Sequence, residues 1–134
     1  MKKFIDVTIK PLLIVGGIGT ALAGANAFFP EFALANVQHI EWVQDYTIFV
    51  QHWGIMVCLM GVFMVAAAFI ESWRTPIMLY SMIEKAFMVF LVVSNSSASY
   101  SDGFYVPATM DAIITVYSVI YFIELSKKNN TVTN

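Results

Sequence analysis

Residues 46–70 read YTIFVQHWGIMVCLMGVFMVAAAFI, without one Asp, Glu, Lys or Arg. The hydrocarbon core of a bilayer is about 30 Å thick, and a helix rises about 1.5 Å per residue. Roughly 20 apolar residues in a row therefore cross it. This stretch meets that length. Residues 12–29, LLIVGGIGTALAGANAFF, form a second uncharged block of the same character. Working outward, residues 76–93 are apolar apart from Glu84 and Lys85, and residues 107–125 apart from Asp111 and Glu124. Their end signals support them. Thr75-Pro76 reads as an N-cap followed by proline at the first helical position, where a missing N–H costs nothing. Pro107 suits the same role, Asp102-Gly103 marks a turn ahead of it, and Pro30 either ends the first span or opens a short helix.

The expected fold is all-α, a four-transmembrane-helix bundle in one domain over residues 1–134, with spans at about 12–29, 46–70, 76–93 and 107–125. Composition agrees. The chain is 59% hydrophobic and 12% charged, where soluble domains carry about 25% charged residues. A net charge of −2 excludes a broad basic surface for nucleic acid. Cys58 stands alone within an apolar run, so an internal disulfide and a thiolate metal cluster are both excluded. Met1-Lys2-Lys3 and the later Ala21-Leu22-Ala23 resemble a cleavable signal. Asp6, Lys10 and Pro11 are foreign to such a leader, so the segment is expected to stay as the first span.

Lys2, Lys3 and Lys10 precede the first span, Arg74 separates the second from the third, and Lys127 and Lys128 follow the fourth. The other two loops hold only acidic charges: Glu31, Glu41, Asp45 and Asp102. The positive-inside rule then puts both termini on the cytoplasmic side, with Trp42 and Trp73 at opposite interfaces. A loose apolar stripe predicts a short outer loop helix over 31–44, and the polar tail from Lys127 to Asn134 is expected to be disordered.

In lipid, close helix contact requires small residues. Gly16, Thr20 and Gly24 repeat at spacing four, and Gly54, Gly61 and Ala68 at spacing seven. Both stripes are read as helix-packing faces, within the chain or toward a second copy. Seven methionines fall in the spans, and without paired Cys or His they read as flexible filler rather than a Cu(I) lining.

Ionisable residues in a membrane are costly and mark functional candidates. His52, Glu84, Lys85 and Asp111 all fall in the centre or outer half, with Asn26 at a comparable level. Asp111, Thr115 and Ser118 form one polar stripe on the last span. Glu84 and Lys85 are adjacent, about 100° apart around their helix. The simplest pairing gives Asp111 to Lys85 or His52, and gives Glu84 a partner such as Tyr117 or Asn26. No catalytic motif and no metal site is evident. His39 and His52 do not make a haem pair, because His39 lies in a loop.

His52-Trp53-Gly54, Arg74-Thr75-Pro76, Glu84-Lys85-Ala86 and the proline ahead of Asp111 together resemble the small four-helix bacterial membrane proteins of the DoxX-like type. The likeness covers most of the chain through short motifs. Some members are membrane subunits of quinone-linked oxidoreductases, so the resemblance implies a quinone connection without placing a quinone on any residue. Three functions are carried forward. The first is a non-catalytic subunit or oligomeric component of a larger membrane complex. The second is a quinone- or lipid-binding redox-accessory protein embedded in the bilayer. The third is a small proton-coupled transporter.

Overall fold

The structure is a computed structural model that describes residues 2–132. It is an all-helical bundle, with no strand among the described residues. The long helices are α1 (Lys2–Ala23), α3 (Thr47–Phe69), α4 (Glu71–Ser94) and α5 (Tyr105–Val132), with a short α2 (Pro30–Ala33) after α1. Four segments are long and apolar enough to cross a membrane: Ile5–Ala27, Gln44–Phe69, Glu71–Ser94 and Ser99–Lys127. Their outward side chains agree with that solvent. Val15, Leu22, Ile48, Phe49, Ile83, Phe87, Phe90, Val106 and Val116 are all exposed, an apolar belt far beyond what a soluble monomer presents to water.

The helices form a ring in the order α1, α3, α4, α5, each packing on its neighbours. Four crossings put both ends of the chain at one end of the bundle, called here the termini end. The loops between α1 and α3 and between α4 and α5 share the other, the loop end. Leu13, Met64, Met78 and Ile114 are fully buried at the centre, with Ile5, Ile9, Ala67, Ala68 and Tyr117 around them. This core fills the half of the bundle toward the termini end.

The tightest seam joins α1 to α3. A Cβ on Gly17 would stand 2.7 Å from the Gly61 carbonyl oxygen, and one on Gly61 would land on Ala21 and Gly17 backbone. A Cβ on Gly24 would stand 2.6 Å from the Gly54 carbonyl oxygen, and one on Gly54 would meet the Asn26–Ala27 backbone. The seam is therefore Gly17, Ala21 and Gly24 against Gly54 and Gly61, and it lies within the chain. The expected Gly16 and Thr20 stripe is displaced by about 100° from it. Gly16 meets side chains, Ile114 Cδ1 and Met64 Cε, instead of a helix backbone. Thr20 is buried and Ala68 sits in the central core.

Several boundaries differ from the sequence reading. α4 begins at Glu71, so Pro76 lies inside it and Thr75 is no cap. The cause is Arg74. Its Nε and Nη2 donate to the Ala67 and Ala68 carbonyls at 3.2 Å each, and its Nη1 donates to Glu71 Oε1 at 3.0 Å. These bonds satisfy the last carbonyls of α3 and let one extended residue, Ile70, make the whole turn. The Thr75 hydroxyl instead meets the Tyr121 hydroxyl at 3.0 Å. α1 starts at Lys2 and carries Pro11 internally, then ends in a 3₁₀ turn, Gly24–Ala27.

Pro30 opens α2. The expected 31–44 helix is only partly formed, as α2 and a π-turn, Leu34–Gln38. His39 then takes φ 56°, a left-handed conformation that stops the helix. α5 runs on to Val132 where disorder was expected, and Lys127 reaches back to Glu124 at 3.5 Å. Thr133 and Asn134 of that tail lie outside the described residues.

Candidate functional site

The buried charges gather between α4 and α5. Lys85 Nζ donates to Asp111 Oδ1 at 2.6 Å, and Glu84 Oε2 lies 3.7 Å from the same ammonium. Lys85 and Asp111 are both buried. Of the two partners expected for Asp111, the structure chooses Lys85. The adjacent Glu84 also comes within ion-pair distance, because the lysine stem is long enough to turn back toward its own helix.

The remaining expected members fall elsewhere. His52 is exposed on the outward face of α3. Tyr117 is no partner of Glu84. Its hydroxyl meets Thr8 Oγ1 at 2.8 Å, roughly two turns nearer the termini end. Asn26 is fully buried near Gly54, and its amide makes no hydrogen bond among the described residues. The Ser118 hydroxyl donates to the Ile114 carbonyl of its own helix at 2.7 Å. Thr115 Oγ1 is buried and accepts or donates nothing among the described residues. So the stripe of α5 faces inward, but only Asp111 joins the charge cluster.

The cluster opens into space. A cavity of about 200 Å³ is lined by Thr20, Gln38, Glu84, Lys85 and Asp111 together with Trp53 and Met88. A second, of about 330 Å³, lies between α3 and α4 along Met56, Met60, Tyr80, Glu84 and Phe87. A third, of about 440 Å³, reaches Asn95, Tyr100 and Ser101 at the loop end. Trp53 and Met88 line all three, and Glu84 lies between the first two. Together they make an apolar groove on the lipid side of α3 and α4 that leads to the charges. Pockets with this composition, an apolar lining and a few converging polar groups, are the usual form of small-molecule sites.

The geometry of the helices produces this groove. α3 is drawn onto α1 by the glycine seam, and α4 is tied to α5 by Lys85 and Asp111. Joined by Ile70 at the termini end, α3 and α4 pack less extensively on each other than α3 does on α1 and α4 on α5. The loops close over the top. Gly103 passes so near Gln38 that a Cβ there would collide with its backbone, and the Ser101 hydroxyl donates to the Asn95 carbonyl at 2.7 Å.

Sequence reasoning missed Trp53, Met88 and Gln38. Trp53 entered only through the short motif His52-Trp53-Gly54, Met88 only as flexible filler, and Gln38 only as part of the expected loop helix. Another cavity, of about 470 Å³, lies at the termini end beside Asp6, Glu71, Arg74 and Glu124, but Arg74 there is committed to the α3 carbonyls. No protein-family profile matches this chain, and no curated protein or solved structure matches it.

Proposed function

We propose that this chain is an integral membrane protein that binds a lipid-soluble small molecule, admitted laterally from the bilayer between α3 and α4. The observation that carries this is the position of Glu84. Its carboxylate lies where an apolar groove meets a buried ion pair, so a ligand with an apolar tail and a polar head finds both environments in line. This favours the quinone- or lipid-binding accessory role. The likeness to DoxX-like proteins points the same way, toward the membrane partner of a quinone-linked oxidoreductase. On this proposal the termini face the cytoplasm, by the distribution of Lys and Arg, and the DoxX-like likeness makes the membrane a bacterial inner one. The groove then opens in the outer half of the bilayer.

One observation favours the subunit reading, in which the charges only hold the bundle together. The 2.6 Å bond from Lys85 to Asp111 ties α4 to α5 whether or not a ligand enters. The two readings differ in what the groove retains. The chain is purified in mild detergent, and everything retained is identified by mass spectrometry. A lipid-soluble molecule held by the natural chain and absent from Met88→Trp, which fills the groove, supports the binding reading. Identical retention by both chains overturns it.

A further inference from the structure

We infer that the ligand is a neutral, hydroxyl-headed lipid, bound head-first with its O–H donated to Glu84 Oε2; this rests on the groove reading. The basis is an inventory of unmet hydrogen bonds around the inner cavity. Glu84 Oε2, Gln38 Oε1 and Thr20 Oγ1 are buried and make no hydrogen bond among the described residues. Gln38 and Thr20 are only 5% and 3% exposed. All three residues line the cavity. Two of these oxygens only accept, and the third does either. At these three points the cavity offers acceptors that no donor of the protein reaches.

Lys85 does not reach Glu84 Oε2. Its ammonium is held by Asp111 at 2.6 Å and stands 3.7 Å from Glu84 Oε2, beyond hydrogen-bond reach. Yet only one of its three N–H groups is engaged in that bond. A head group that donates to Glu84 and accepts from Lys85 satisfies both at once. A hydroxyl does this. A carbonyl or an ether accepts but cannot donate, and leaves Glu84 as it is.

Depth excludes the charged alternatives. Glu84 lies ten residues from the loop end of α4 at Ser94, roughly 15 Å down the helix and near the middle of a hydrocarbon core about 30 Å thick. A phosphate-bearing head group drawn to that depth loses its hydration. A single hydroxyl loses little and regains it at Glu84. The apolar body then lies along Met56, Met60, Phe87 and Met88, whose thioethers and ring adapt to an alkyl or prenyl chain.

The test compares 4-dodecylphenol with its methyl ether, 4-dodecylanisole, which keeps the shape and removes the donor. The full chain is reconstituted in phosphatidylcholine nanodiscs, and retained ligand is counted by native mass spectrometry across a concentration series. The phenol is expected to bind at least about tenfold more tightly than the ether, the cost of one unmade buried hydrogen bond. Glu84→Gln keeps a carbonyl acceptor and retains the preference, whereas Glu84→Ala abolishes it. Equal binding of phenol and ether overturns the inference and leaves the groove reading standing, with the oxygens met by water. Binding of neither overturns both. The comparison on the natural chain decides even where Glu84→Ala does not assemble.

Discussion

Replacing Lys85 by Met should destabilise the bundle more than replacing Asp111 by Leu, although the two residues form one pair. At 2.6 Å two unit charges attract by about 6 kcal/mol at an effective dielectric of about 20. Desolvation offsets much of this in the intact pair, so the measurable cost comes from leaving one charge without its partner, about 3–5 kcal/mol. Glu84 makes the two sides unequal. In Asp111→Leu the ammonium still has Glu84, 3.7 Å away, and the loss should fall to about 2–3 kcal/mol. In Lys85→Met two carboxylates face each other with no cation, and the loss should reach about 4–5 kcal/mol. The double variant should lose less than Lys85→Met, because Met and Leu pack as apolar groups and only Glu84 is left without a cation. Reversible unfolding of the full chain in mixed micelles of rising dodecyl sulfate content, followed by circular dichroism, measures all four. Equal single losses, or a double loss equal to their sum, would refute this assignment of the charges.

Gly61→Ala should cost about 2–3 kcal/mol, since its Cβ would press on helix backbone and part α1 from α3 by about 1 Å; Gly16→Ala, which meets only side-chain ends at 3.1 and 3.3 Å, should cost under about 1 kcal/mol in the same unfolding assay. Arg74→Gln should lower stability by about 2 kcal/mol by freeing two α3 carbonyls, and Arg74→Lys should not restore it, because a single ammonium does not reproduce the fork. Gly103→Ala should push the two loops apart at Gln38, raising amide hydrogen exchange across residues 34–38 and 99–104 while leaving the middle of α1 and α3 protected.

The membrane character of the chain was legible because it depends on composition over long runs, which lipid as solvent enforces residue by residue. That Lys85 can meet Asp111 was legible too, since helical rise converts residue number directly into height along the bundle. Azimuth was harder to read. Gly16, Thr20, Gly24 and Gly17, Ala21, Gly24 share an end and differ by one position, and only the partner helix decides which stripe it takes. Depth alone puts His52 in the cluster, yet it points outward, because Gly54, about 200° round the helix from it, turns the opposite face of α3 toward α1. The start of α4 was misplaced for another reason. Thr75-Pro76 is a sound local signal, but Arg74 supplies from within the helix the partners that the turn needs. The groove itself has no signature in the sequence. It arises where two well-packed pairs, α1 with α3 and α4 with α5, fail to close on one another.

The single-residue turn at Ile70 gives that groove a mechanical property. In geometry α3 and α4 are the two arms of a pair of tongs, with the guanidinium of Arg74 bonded across the hinge. Glu84 lies fourteen residues along one arm, roughly 21 Å from the pivot. Each degree of opening at Ile70 therefore moves the jaws at that level by about 0.4 Å. A few degrees, less than the ordinary scatter of helix crossing angles, spans the thickness difference between an alkyl chain and an aromatic ring. The gauge of the slot is set far from it, on the opposite side of the membrane.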